Sequence, residues 1–188
     1  GDHSATTSAR LVALAGELGF DPFRAPAGVA AFTGTGRRFE HRGVAKGVSF
    51  IDDYAHHPTE VAATLAAASG WEGGRVVAVF QPHLYSRTQR LADRFGAALA
   101  VADVVVVTDV FAAREDPIEG VDGTLISAAA RRHGATDVVD APDRSTLVEV
   151  VAALIRPGDL VLTMGAGDVT AVAEELGAVL PGAVIETP

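Results

Sequence analysis

Residues 103–108 read Asp-Val-Val-Val-Val-Thr, and this stretch decides the fold. A β-branched run that is apolar on both faces suits a central strand of a parallel sheet, covered by helices above and below. Just before it, Ser86–Leu99 carries Leu91, Phe95 and Leu99 in helical register, and Arg75–Phe80 is another continuous apolar strand. Further back, Val61, Leu65 and Ala68 form the stripe of a helix whose first turn receives the fixed φ of Pro58. Val48–Asp52 and Arg38–His41 read as strands ahead of it. Downstream, helices are expected at Gly123–His133, Ser145–Ile155 and Asp168–Leu176, with strands at Asp137–Val139 and Leu160–Thr163. This alternation predicts an α/β fold, a Rossmann-like, mostly parallel sheet with helices on both faces.

The front of the chain reads differently. Leu11, Leu14, Ala15 and Leu18 recur at helical spacing within Ser4–Leu18, and Gly19 can end that helix. A second short helical piece is expected from Pro22 or Phe23 to about Phe32, and Thr33-Gly34-Thr35-Gly36 has the composition of a boundary. The expected division is a short helical segment over residues 1–35, then an α/β domain over 36–188.

Composition removes several classes of function. The chain has 188 residues and no cysteine, so disulfide scaffolds, thiolate metal sites and cysteine nucleophiles are excluded. Its formal net charge of −9 argues against sequence-independent nucleic-acid binding, which needs a basic footprint. Apolar runs such as Val104–Val107 are far shorter than the roughly 20 residues of a membrane span, and no signal peptide opens the chain, so the expectation is a soluble, cytosolic protein. Lys46 is the only lysine and lies outside any Gly-x-x-x-x-Gly-Lys-[Ser/Thr] frame, so the phosphate-cradling loop is missing. No Gly-x-Ser-x-Gly elbow supplies a serine nucleophile either.

Ligands of open parallel sheets bind outside the carboxyl ends of the strands. Polar clusters fall there repeatedly: Asp52-Asp53-Tyr54-Ala55-His56-His57-Pro58 after one strand, Gln81-Pro82-His83-Leu84-Tyr85-Ser86-Arg87-Thr88 after the next, Asp109 after a third, and Gly165-Ala166-Gly167-Asp168 after the last. In the first cluster, carboxylates suit ribose hydroxyls and an aromatic ring can flank a base; the plainer reading is a helix cap with solvated histidines. His56 and His57 are adjacent, not four apart, so they do not share a helical face as a metal pair would. In the second cluster, His83 and Arg87 stand at a helix N-terminus whose free N–H groups suit a carboxylate or phosphate. Arg90 and Arg94, on the same helix face as Arg87, read as solvated. Gly165-Ala166-Gly167 lacks the third glycine of a dinucleotide fingerprint and reads as a tight strand-to-helix turn.

These motifs carry a family resemblance. Asp-Asp-Tyr-Ala-His-His-Pro-Thr-Glu at 52–60 and Gln-Pro-His-Leu-Tyr-Ser-Arg-Thr at 81–88 resemble those of the MurC-type Mur ligases, which join L-alanine to UDP-N-acetylmuramate. Gly36-Arg37-Arg38-Phe39 and Thr163-Met164-Gly165-Ala166-Gly167-Asp168 agree in order and spacing. The resemblance implies three cooperating domains: an N-terminal UDP-binding domain, a central P-loop ATPase domain and a Rossmann-like C-terminal domain. It places residues 36–188 in the third and 1–35 at the helical end of the second. It further implies ATP and Mg²⁺, both held mainly by the central domain, with amide formation through an acyl phosphate. Residue by residue, it assigns Arg38, Asp53, Tyr54 and His56 to the nucleotide, and His83 and Arg87 to the carboxylate of the incoming alanine. No catalytic residue and no metal ligand are assigned within this chain, and the chain alone is expected to be inactive. Leu84 stands where some members carry arginine, so one cationic contact is missing. The Asn-x-x-Asn pair that follows Gly-x-His in the central domain is replaced here by Ser4 and Thr7 after Gly1-Asp2-His3, and His3 receives no role. Two other readings stay open: the related ligase that attaches a murein tripeptide during recycling, and a free-standing α/β module that binds a nucleotide or amino acid.

Overall fold

The computed structural model describes residue 10, residues 13, 14 and 16–19, and residues 36–180. The chain divides into two compact units, Gly1–Gly36 and Arg37–Pro188. In the first, residues 13, 14, 16 and 17 are helical, and the helix closes through the Leu18 N–H to the Leu14 carbonyl at 3.0 Å, with Gly19 at φ +81°. That is the expected glycine stop. The expected second helical piece and the Gly1-Asp2-His3 motif lie outside the described residues, as does most of the Thr33–Gly36 boundary.

The second unit is built on six strands: β1 (Glu40–Ala45), β2 (Val48–Asp53), β3 (Val76–Phe80), β4 (Val104–Thr108), β5 (Val138–Ala141) and β6 (Leu160–Met164). Their order in the sheet is β1-β2-β6-β3-β4-β5. Five run parallel, and β1 is added to the edge as the antiparallel arm of a hairpin with β2. The helices are α1 (Pro58–Ala68), α2 (Tyr85–Leu99), α3 (Thr124–Arg132), α4 (Leu147–Leu154) and α5 (Val172–Val179). Among the described residues, no helix is long and apolar enough to cross a membrane.

Two-residue alternation along the strands sorts the core into two layers. Ile51, Ala78, Phe80, Val105, Val107, Leu160, Leu162 and Met164 pack with α1, α2 and α3. Phe50, Val77, Val79, Val104, Val106 and Val161 face the other way and pack with α4 and α5. The four valines of β4 thus divide two and two, which is why the run is apolar on both faces. The expected sheet with helices on both faces is what forms.

The differences from expectation have local causes. A strand was expected from Arg38, yet the β1–β2 ladder begins at Glu40 opposite Asp52. Arg37 and Phe39 hold φ of +60° and +49°, which no strand residue adopts. The strand also runs on to Ala45, past a register shift between His41 and Gly43, because Lys46-Gly47 makes a two-residue turn with both φ positive, +50° and +76°. Such a turn matches the twist of a hairpin. The last two helices each open with a 3₁₀ turn, Arg144–Thr146 and Asp168–Ala171.

Candidate functional site

The carboxyl ends of β2, β3, β4 and β6 bring the polar clusters to one edge of the sheet. The loop after β2 is organised by Asp53, which is 5% exposed and accepts from Phe39 N–H and Ala55 N–H, both at 2.7 Å. The two neighbouring histidines then part company. His57 caps α1: its ring accepts from Thr59 N–H while Glu60 accepts from His57 N–H at 3.1 Å, a reciprocal capping box. His56 does not cap. Its Nδ1 lies 2.9 Å from the Tyr54 carbonyl oxygen, and its ring meets Tyr54 edge-on at 5.0 Å and His83 at 5.9 Å.

A continuous row of side chains results. Arg38 holds its guanidinium 5.7 Å from the centre of the Tyr54 ring and sits 3.6 Å from Glu60. Tyr54 touches His56, His56 faces His83, and Arg87 donates to the His56 carbonyl oxygen at 3.2 Å. Of the six residues singled out from the sequence, five fall in this row: Arg38, Tyr54, His56, His83 and Arg87. Asp53 lies beneath it, with its carboxylate committed to backbone N–H groups.

His83 is the most unusual member. Its ring stacks on Phe111 at 5.8 Å and 16°, and its Nδ1 is buried without a hydrogen-bond partner. Burial first, then the charges of Arg87 and His56, hold its pKa below the ordinary histidine value, against a weaker pull from Glu115. A neutral imidazole keeps one ring nitrogen as an acceptor. Next to it, Leu84 carries φ +72° and ψ 130°, a region a non-glycine residue occupies only when its surroundings enforce it. They do: Leu84 N–H donates to the Phe111 carbonyl at 3.0 Å, and Phe111 N–H returns a bond to Pro82 at 2.8 Å.

One expectation needs correction. The N–H groups opening α2 were read as free for an anion, but Ser86 gives its N–H (2.9 Å) and its hydroxyl to Glu115. A carboxylate from the loop after β4 already occupies that helix terminus, and those bonds lower the Glu115 pKa. Arg90 and Arg94 are exposed, as expected.

The Gly165-Ala166-Gly167 turn behaves as read. Gly167 lies so close to the Gln81 side chain and the Phe111 ring that an added Cβ would overlap both. Gln81 is 2% exposed and spans the gap, donating to Asp168 at 2.7 Å and accepting from Val169 N–H at 3.2 Å. Asp109 stands nearby, its pKa raised by burial and by the charges of Asp168 and Asp143, against an opposing bond from Thr108. Among the described residues, no group of three His, Asp or Glu side chains is arranged to hold a metal ion.

Sequence reasoning passed over Arg37, Glu60, Phe111 and Glu115 as site residues. Arg37 and Glu60 stand inside recognised motifs, where capping-box spacing from His57 to Glu60 offered a signal. Phe111 and Glu115 come from an irregular loop with no periodicity to read.

Comparison with known proteins gives the following. The family described as Mur ligase, glutamate ligase domain, matches residues 37–167. A UDP-N-acetylmuramate–L-alanine ligase of Thermobifida fusca is 51% identical over 179 residues, covering 90% of this chain and 37% of the relative. Among solved structures, the UDP-N-acetylmuramate–alanine ligase MurC of Thermotoga maritima superposes with a TM-score of 0.71 at 27% identity, over 94% of this chain and 37% of that one. A murein peptide ligase of Psychrobacter arcticus has a TM-score of 0.72 at 22% identity, over 93% and 36%, a likeness of fold alone. The chain thus spans little more than a third of the length of these relatives.

Proposed function

The chain belongs to the Mur ligase, glutamate ligase domain family, and from that premise we propose that it is the C-terminal domain of a cytoplasmic ligase that joins L-alanine to UDP-N-acetylmuramate in peptidoglycan precursor synthesis. The observation that carries this reading is the row Arg38–Tyr54–His56–His83–Arg87, cationic at both ends and aromatic between. The 51% identity to an alanine ligase favours L-alanine as acceptor over a murein tripeptide.

In this reading Arg38, Tyr54 and His56 form the nucleotide end. Arg38 is half exposed and offers a charge to ATP phosphates, while Tyr54 and His56 offer ring surface. Asp53 acts beneath them by holding the loop. His83 and Arg87 form the amino-acid end: the guanidinium takes the α-carboxylate of alanine, and the stacked imidazole fixes its orientation. When bound, ATP would supply the phosphoryl group that turns the muramate carboxylate into an acyl phosphate with release of ADP; the amine of L-alanine would then attack the acyl carbon and expel inorganic phosphate, leaving the amide. This chain's part is to orient the two partners. The P-loop frame does not occur in this chain, so the phosphate cradle, and with it the metal and the uridine pocket, are assigned to the remainder of the ligase. Closure of this domain onto that remainder completes the site.

The test is ATP-dependent joining of L-alanine to UDP-N-acetylmuramate by the complete ligase, with murein tripeptide as competitor. Arg87→Ala is expected to raise KM for alanine by roughly 100-fold, the scale of a charge-assisted carboxylate contact, and to leave KM for ATP near its original value. Preference for the tripeptide would move the assignment to the recycling ligase. Nucleotide or alanine binding without any joining would leave a binding module.

A further inference from the structure

The residue before Arg38 makes more contacts than Arg38 itself. Arg37 donates through Nε to Asp52 at 2.8 Å and through Nη2 to the Gly165 carbonyl at 2.7 Å, and lays its guanidinium 5.1 Å from the centre of the Tyr54 ring. Its backbone is fixed as well: its N–H donates to Glu40 at 2.6 Å, and its carbonyl accepts from Tyr54 N–H at 2.8 Å. Asp52 is fully buried and shares its two oxygens among Arg37, Thr163 at 2.7 Å and Thr170 at 2.9 Å. Arg37 thus links the start of β1, the end of β2 and the turn after β6.

Arg38 stands between two left-handed residues, Arg37 at φ +60° and Phe39 at φ +49°. Such geometry is strained and persists only when neighbours over-determine it. Here the neighbours are the Arg37 contacts on one side and the Phe39–Asp53 bond on the other. The outcome is that Arg38 projects outward, its side chain 49% exposed, beside Tyr54 and Glu60.

We propose that Arg37 is a positioning residue for nucleotide binding: its buried pairing with Asp52 and its bond to Gly165 hold Arg38 and Tyr54 in the arrangement that receives ATP. This rests on the reading of Arg38 as the ATP contact. The pairing of a planar guanidinium with a carboxylate and a carbonyl at once is a task lysine fills only in part.

A double-mutant cycle in the complete ligase tests it. Arg37→Met is expected to lower kcat/KM for ATP roughly tenfold, chiefly through KM, and Arg37→Lys is expected to recover part of that loss. In an Arg38→Ala background the Arg37→Met loss should shrink below about twofold, because the residue acts through Arg38. An equal loss in both backgrounds would overturn the proposal and leave Arg37 a merely structural residue. A second readout does not depend on ligase activity. In the 188-residue chain, nuclear magnetic resonance should find a slowly exchanging Arg37 Nε–H that Asp52→Asn abolishes, and displaced Arg38 and Tyr54 resonances in Arg37→Lys. Unmoved Arg38 and Tyr54 resonances would refute positioning even if the complete ligase joins alanine. Displaced resonances in a protein that joins none would sustain the positioning geometry while the ligase reading fell.

Discussion

Two ion pairs, one at each end of the sheet, share their chemistry and differ in consequence. At the amino ends of the strands, Arg75 grips Asp159 with contacts of 3.2 and 2.7 Å and adds a bond to the Leu154 carbonyl at 2.9 Å. Asp159, 2% exposed, also accepts from Arg156 N–H. Close by, the Trp71 indole donates to the Gly158 carbonyl. Arg75 Nε and Nη2, the Arg156 N–H and the Trp71 indole all end on acceptors of this edge. At the carboxyl ends, Arg37 and Asp52 are buried to a similar degree, but Arg38 and Tyr54 project beside them, two residues are left-handed, and farther along the edge His83 Nδ1 is buried without a partner. One edge is finished by its own bonds. The other is held open by them, which is where a ligand has something to add.

The largest way to break this contrast is at the finished edge. Asp159→Ala should destabilise the chain by about 2–4 kcal/mol, since it strands a half-buried guanidinium and frees the Arg156 N–H. Urea denaturation of the chain measures it, and alanine joining by the ligase below the melting transition should be unchanged. If joining falls in step with stability, the two edges are coupled and the contrast fails.

Gly167→Ala acts at the open edge. The new methyl meets Gln81 and the Phe111 ring, so stability should fall by about 1–3 kcal/mol. Because Phe111 is the platform under His83, KM for alanine should rise as well. A loss of stability without that rise would assign Phe111 to the core rather than to the site.

The smallest effect is in acid. The folded-state pKa of His83 lies below its unfolded value near 6.5, so the unfolded chain binds a proton first as the pH falls. The stability tied to neutral His83 is complete above pH 6.5 and is lost from there down through the folded pKa. His83→Gln should flatten the stability profile between pH 7 and 5, measured by thermal unfolding across that window. An unchanged slope would mean that His83 is solvated like any surface histidine.

Legibility followed periodicity. The strand Val104–Thr108 was readable because its valines alternate between two covered faces, and α1 because Pro58 and the Val61–Leu65–Ala68 stripe state it twice. The site was readable as clusters at strand ends, and the family resemblance named the residues within them. What escaped was whatever depends on a distant partner. Arg37 gains its meaning from Asp52 and Gly165, and the α2 terminus is closed by Glu115, 29 residues away. The start of β1 failed for the same reason: left-handed Arg37 and Phe39 are imposed by bonds across the loop, not by local preference.

The position of β6 reaches beyond the site. Among the described residues it is the last strand in sequence order, yet it lies between β2 and β3 and supplies the strand pairing between the β1–β2 hairpin and the β3–β4–β5 block. During synthesis the facing edges of β2 and β3 leave the ribosome without their common strand partner, which arrives only when residues 160–164 have emerged. The sheet therefore closes only after its other five strands have been made, and the exposed edges in the interval are what a chaperone would have to shield.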